Sequence, residues 1–128
     1  MALEIRRATP DEIPDTVAPI SVAFGIEMIP ERIARSRSIT ELTTRFGAFD
    51  DGAIAGALSS YDFAMTVPGG AAVPVAGTTL VGVLPTHRRR GILRALMHTY
   101  LDDARARGQH LSALFASDAR IYGRFGYG

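Results

Sequence analysis

The residues best placed to do chemistry lie in one stretch, VGVLPTHRRRG at positions 81 to 91, where an apolar run gives way to His87, three consecutive arginines and Gly91. The residues beyond it read as an amphipathic helix. A helix N-terminus already presents partial positive charge and unsatisfied N–H groups, so Arg88, Arg89 and Arg90 cost stability there unless an anion shares the site. A phosphate or pyrophosphate reverses that penalty, and Gly91 lets the main chain approach it with no Cβ in the way. The bland alternative is a solvated basic turn. Its position between a buried strand and a helix with a buried face, at the crevice end of a parallel pair, favours the anion site. A nucleic-acid surface fits less well, because no aromatic residues interleave with the arginines and the formal net charge is only +1.

Composition removes other chemistries. Every one of the 14 basic residues is arginine, so there is no Schiff-base or general-base lysine and no GxxxxGK phosphate loop. Cysteine is absent, which excludes disulfides, thiolate nucleophiles and cysteine-ligated metals. His98 and His110 have no metal-ligand spacing and His87 reads as a turn histidine with solvent on one side, so no metal is expected. The 128 residues, 47% of them hydrophobic, suit a single domain. The charged start MALEIRR does not fit a signal peptide, and the uncharged stretch from Phe63 to Thr86 is broken by prolines and glycines, so buried strands, no membrane span and a cytoplasmic protein are expected.

The elements that must hold these residues follow from periodicity. Leu3 and Ile5 alternate with charged neighbours as a first strand. Thr9-Pro10-Asp11-Glu12 opens a helix predicted from about Pro10 to Phe24, with a second from Pro30 to Arg37. From Thr43 to Tyr61 the pattern is strand, Asp50-Asp51-Gly52 turn, strand. Phe63 to Val67 extends it, Pro68-Gly69-Gly70 turns the chain, and alternation from Val73 to Val83 predicts a long strand or a bent pair. Ile92, Leu93, Leu96, Met97, Tyr100, Leu101 and Ala104 then form one helical stripe that Gly108 ends. A strand from Leu111 to Phe115 and a short helical segment from Asp118 to Arg124 complete the chain, with Ser117 and Asp118 as caps. Strand, helix, strand between Thr78 and Ala116 is a βαβ unit, so the predicted fold is α/β (α+β), a mixed, mainly antiparallel sheet with one parallel pair.

Arg88-Arg89-Arg90-Gly91-Ile92-Leu93 after a strand resembles motif A of the GCN5-related N-acetyltransferases (GNAT), Arg/Gln-x-x-Gly-x-Gly/Ala, and departs from it at Leu93. PTHRRRG with its apolar pair, IYGRFGYG at residues 121 to 128 and the TVPGG turn at 66 to 70 are together similar to the Eis (enhanced intracellular survival) branch. The resemblance covers the chain in element order. It implies the acyl-CoA N-acyltransferase fold, without that fold's last strands, and acetyl transfer from acetyl-CoA to a primary amine of an aminoglycoside-like molecule or a lysine side chain.

Position by position, the resemblance implies that main chain at Val81 and Val83 pairs with the pantetheine arm, and that Arg88, Arg89, Gly91 and Ile92 hold the pyrophosphate. It implies that Tyr122 protonates the departing thiolate. A phenol of pKa near 10 facing a thiol near 8.5 makes that proton transfer feasible. Tyr127 reads as packing. Phe24 and Glu27 fall where the family lines its acceptor pocket, and an acid there would suit cationic amines. The family's base is a C-terminal carboxylate that Gly128 does not match, so no base is assigned. Members of the branch are much longer and form homo-oligomers, so residues 1 to 128 are expected to be a single acetyltransferase-like domain at the N-terminal end of a longer protein. The rival is a non-catalytic coenzyme A-binding or assembly module.

Overall fold

Leu3 and Ile5 alternate with charged residues in the edge strand β1 (Leu3–Arg7), which pairs antiparallel with β2 (Thr43–Asp50). The computed structural model describes residues 2–128 apart from the side chains of Ser36, Ile39 and Thr40. β2 turns directly into β3 (Ala53–Thr66) through a two-residue hairpin. Asp51 and Gly52 both have positive φ, 49° and 84°, the type I′ geometry whose twist matches the flanking strands. β4 (Ala72–Val83) follows antiparallel, and β5 (Leu111–Ala113) lies parallel to it, so the sheet order is β1-β2-β3-β4-β5. The mixed sheet and its one parallel pair are as predicted.

Two helices cover opposite faces. A Cβ on Gly56 would meet Ile92 and Leu96 of α3 (Ile92–Ala106), while Gly82, paired with the adjacent Ala57, lies against Pro19 and Ile20 of α1 (Val17–Phe24). The core sits on the α3 face, where Ile92, Leu96, Met97, Tyr100 and Ala104 bury themselves on Phe46, Leu58 and Ala76 of the sheet. This is the predicted stripe. Tyr100 meets Phe46 edge-on, with centroids 6.0 Å apart.

Four predicted spans differ. The helix expected from Pro10 to Phe24 divides into a 3-10 segment (Pro10–Thr16) and α1, because Pro14 and Pro19 remove N–H donors that one continuous α-helix needs. α2 runs further than expected, Pro30–Glu41. β5 stops at Ala113 and Phe115 is fully exposed, since β4 has diverged and no strand remains to pair with. The segment from Asp118 consists of two 3-10 turns (Ala119–Ile121 and Gly123–Phe125), the first capped by the Asp118 carboxylate on the Arg120 amide. The far end of the β3–β4 hairpin is also less buried than its lack of charge suggested, with Phe63 41% exposed.

Candidate functional site

The site begins where β4 and β5 part. β5 accompanies β4 only along Val75, Ala76 and Gly77, so from Thr78 onward β4 has a strand on one side alone. Just beyond, Ala57 still faces Gly82 but Ser59 faces Thr79, so Leu58 opposes two residues, Leu80 and Val81. This bulge puts Leu80 at φ 50°, a left-handed conformation that costs a branched side chain about 1–2 kcal/mol. The buried Leu58 and the core behind it hold the kink in place. A hydroxyl cluster closes the fork below. Thr78 Oγ1 lies 3.0 Å from both Tyr100 and Tyr127 hydroxyls, and Ser112 Oγ joins all three. Tyr127 packs as predicted, and its hydroxyl also ties the C-terminal segment to the fork.

The basic loop leaves β4 through a 3-10 turn at Pro85–His87. Arg88 is extended, Arg89 has φ 63° and Gly91 φ 76°, so the main chain reverses around a concave run of amides. Among the described residues the amides of Arg89, Gly91 and Ile92 donate to no protein acceptor. α3 starts with no side-chain cap and no acid in its first turn. A Cβ on Gly91 would meet no protein atom within 4 Å, so within the protein itself it is the left-handed φ that calls for glycine.

Val81, Val83, Arg88, Arg89, Gly91 and Ile92, the six residues predicted to bind one ligand, all line a single cavity of about 750 Å³. Arg88 and Arg89 are exposed in it. Arg90 takes another course: its Nη1 lies 3.3 Å from Asp50 Oδ2, and His87 Nε2 approaches the same oxygen at 3.1 Å while Nδ1 is 2.8 Å from Thr86 Oγ1. His87 is the partly exposed turn residue expected, and its ring also anchors the loop to Asp50. Asp50, at the hairpin tip, pairs with both side chains; Arg90 is held off the cavity, while His87 lines it with Arg88 and Arg89. Sequence reading counted Asp50 as a turn residue only, and no local signal marks its partners 37 and 40 residues away. Arg94 and Arg124 also line the cavity. Arg94 was legible three residues into the helix from Gly91; Arg124 was not.

Tyr122 is half-buried and borders both this cavity and a smaller one of about 290 Å³. Its ring meets Tyr127 edge-on at 5.9 Å, and among the described residues its hydroxyl has no hydrogen-bond partner. Burial, and then Tyr127, push its phenol above the usual range, so it is held protonated. Phe24 reaches both cavities, as does Ser117. Glu27 does not. Gly25, at φ 62°, ends α1 with the Ile26 amide bonded to the Ser21 carbonyl, which turns Ile26 into the small cavity and leaves Glu27 on the exposed surface. Among the described residues no group of three or more His, Asp or Glu side chains gathers where a metal ion could sit. The arrangement can hold an anionic ligand on amides and two arginines, lay its extension along the free edge of β4, and present a protonated phenol where two cavities meet.

Comparison with known proteins adds the following. Residues 4–128 match the family model described as the acetyltransferase (GNAT) domain. An uncharacterized N-acetyltransferase of Streptomyces avermitilis is 50% identical over 104 residues, covering 81% of this chain and 25% of that protein. The N-acetyltransferase Eis of Mycobacterium tuberculosis is 35% identical over 135 residues, covering 100% of this chain and 33% of its own. The crystal structure of Eis1 from Mycobacterium abscessus superposes with a TM-score of 0.85 at 40% identity, over 99% of this chain and 31% of that one. The chain thus spans between a quarter and a third of the length of these relatives.

Proposed function

The chain belongs to the GNAT acetyltransferase family, and on that premise we propose that it transfers the acetyl group of acetyl-CoA to a primary amine. The observation that carries this reading is the pair of open elements at one cavity: free amides at Arg89, Gly91 and Ile92 beside exposed arginines, and a β4 edge without a neighbour beyond Gly77. Arg88, Arg89, Gly91 and Ile92 hold the diphosphate with charge-assisted and main-chain hydrogen bonds. The main chain of Val81 and Val83 offers its free edge to the pantetheine amides, as a strand would. Bound acetyl-CoA supplies an activated thioester.

The chain's own residues do the rest. The neutral amine nitrogen forms a bond to the carbonyl carbon while the carbon–sulfur bond breaks, in a ternary complex with no acyl-enzyme. Tyr122 gives its proton to the departing sulfur, and the proton shed by the nitrogen restores the phenol. The raised pKa suits an acid that must be protonated before each turnover. The resemblance named two acceptor classes, aminoglycoside-like molecules and lysine side chains; their shared chemistry is an accessible primary amine, and that is the acceptor proposed. A cytoplasmic location and self-association belong to the same proposal. No helix among the described residues is long and apolar enough to cross a membrane.

Isothermal titration with acetyl-CoA tests the reading. An Arg88→Ala/Arg89→Ala variant that keeps its fold should bind at least about tenfold more weakly, since a hydrogen bond to a charged group contributes about 1.5–3 kcal/mol. Equal affinity, or no binding by the folded parent, overturns it. Tight binding with no thiol released in the presence of any amine favours a non-catalytic coenzyme A-binding module instead.

A further inference from the structure

We propose that Asp50 is a positioning residue for the coenzyme: from the tip of the β2–β3 hairpin it holds the diphosphate loop in its binding conformation, so its loss weakens donors that carry a diphosphate and spares those that do not. The inference rests on the acetyltransferase reading above and adds to it a residue far from the loop in sequence.

The loop has little main-chain support of its own. Between the turn bond from the Arg88 amide to Pro85, at 3.4 Å, and the bond from Ala95 to Gly91 that opens α3, the amides of Arg89, Gly91 and Ile92 donate to no protein acceptor among the described residues. Arg89 nonetheless holds φ 63°, which a residue with a side chain keeps only where its surroundings impose it. The side chains on either side supply that constraint. His87 and Arg90 flank Arg88 and Arg89, and both end on one atom, Asp50 Oδ2, at 3.1 and 3.3 Å. The His87 ring is fixed from its other edge as well: with its proton on Nε2 facing the carboxylate, Nδ1 accepts from the Thr86 hydroxyl 2.8 Å away.

Asp50 is a firm root for this clasp. It pairs with Leu3 of β1 on one side and Ala53 of β3 on the other, so the carboxylate is carried by three strands. Its side chain is 14% exposed, and water screens its contacts little. Oδ1 is buried with no hydrogen-bond partner among the described residues, which leaves the contacts at Oδ2 to hold the charge there. The clasp also sorts the arginines. Arg90 is drawn off the cavity while Arg88 and Arg89 stay in it, so the loop presents two guanidiniums and a concave run of amides in one fixed arrangement. A loop already ordered does not have to be ordered by the ligand, and binding is stronger for it.

The test uses the full chain with Asp50→Asn, a near-isosteric change that removes the charge. Calorimetric titration should show coenzyme A bound about tenfold or more weakly, and the KM for acetyl-CoA should rise with kcat near the parental value. S-acetylpantetheine, a donor with no diphosphate, should keep its kcat/KM within about twofold. Arg90→Gln should act in the same direction, and the double variant should fall no more than about twofold below the weaker single one, because both changes open the same contact. Backbone order parameters of Arg89, Gly91 and Ile92 should drop from about 0.85 toward 0.6 in each variant, a readout that needs no ligand. Arg90→Gln, at the outer end of the contact, carries every readout should the hairpin variant fail to fold.

Unchanged order in the loop, or unchanged coenzyme A affinity, overturns the inference. An equal loss with both donors overturns it too, by marking a general loss of structure. Tighter coenzyme A binding by Asp50→Asn does the same, since the carboxylate would then compete with the ligand for Arg90. A parent that binds no acetyl-CoA strikes the acetyltransferase reading instead, and the order parameters still decide whether Asp50 holds the loop.

Discussion

Tyr122 borders both cavities with an unengaged phenol that burial keeps protonated, and the proposed role of acid rests on that. Positioned acids typically contribute on the order of 10²–10⁴ in rate. Tyr122→Phe should therefore lower kcat by about 10²-fold or more while acetyl-CoA affinity, measured by titration, stays within about threefold. The pH dependence has a definite sign. A phenol raised above its ordinary value, near 10, loses its proton only at still higher pH, so kcat should hold through about pH 10 before an alkaline fall that Tyr122→Phe abolishes. A parent enzyme whose kcat declines well below that pH, with the variant doing the same, would remove Tyr122 from the chemistry. The motif that singled out Tyr122 also contains its ring partner Tyr127, but the hydroxyls that Tyr127 meets, Thr78 and Ser112, lie 49 and 15 residues away and had no local mark.

At the scale of elements, the site depends on how closely α1 approaches the bulged end of β4. A Cβ built on Gly82 would lie 2.6 Å from the Pro19 carbonyl oxygen and 3.0 Å from Ile20 Cα, and neither backbone atom can rotate away. Gly82→Ala must push α1 off the sheet. Overpacking of this kind costs about 1–3 kcal/mol, so thermal unfolding should show a clear drop in Tm. It should also weaken ligand binding at both cavities, because Phe24 at the end of α1 lines each of them. An alanine variant with parental Tm and ligand affinity would mean that the helix does not set the cavities. Periodicity located β4 and α3 well, since their patterns are local. The bulge at Leu80 breaks that alternation and left no mark, because which of two residues faces Leu58 is decided by the partner strand.

Over the whole molecule, charge pairs reinforce from the surface the joins between elements. Arg6 binds both carboxylate oxygens of Glu12, at 2.7 and 2.8 Å, linking β1 to the 3-10 segment. Arg7 reaches Asp103 on α3 at 2.6 Å, and Arg107 near the end of α3 reaches Asp62 on β3 at 2.8 Å. Hydrogen bonds from Arg6 hold the Glu12 carboxyl at a pKa of about 2, below its ordinary 4.5, and Arg107 lowers Asp62 in the same direction. Groups depressed in the folded state stabilise it above their ordinary pKa and lose that contribution as pH falls through the folded value. The midpoint of urea unfolding should accordingly drop between about pH 4.5 and 2, and Glu12→Gln should flatten part of that drop while lowering the midpoint at neutral pH. A parent midpoint that stays constant over this window would show that the clasps add nothing.

By itself the sequence determined what is local: the hairpin turn at Asp51 and Gly52, the helical stripe beginning at Ile92, and an arginine-rich loop at that helix start. Each depends on residues within a few positions of one another, where period and backbone preference act directly. Tertiary structure alone decided that Asp50 pairs with Arg90 and His87, and that β4 and β5 separate after Gly77. Those outcomes are set by which distant side chains compete for the same space and charge, and no neighbour in the chain encodes that competition.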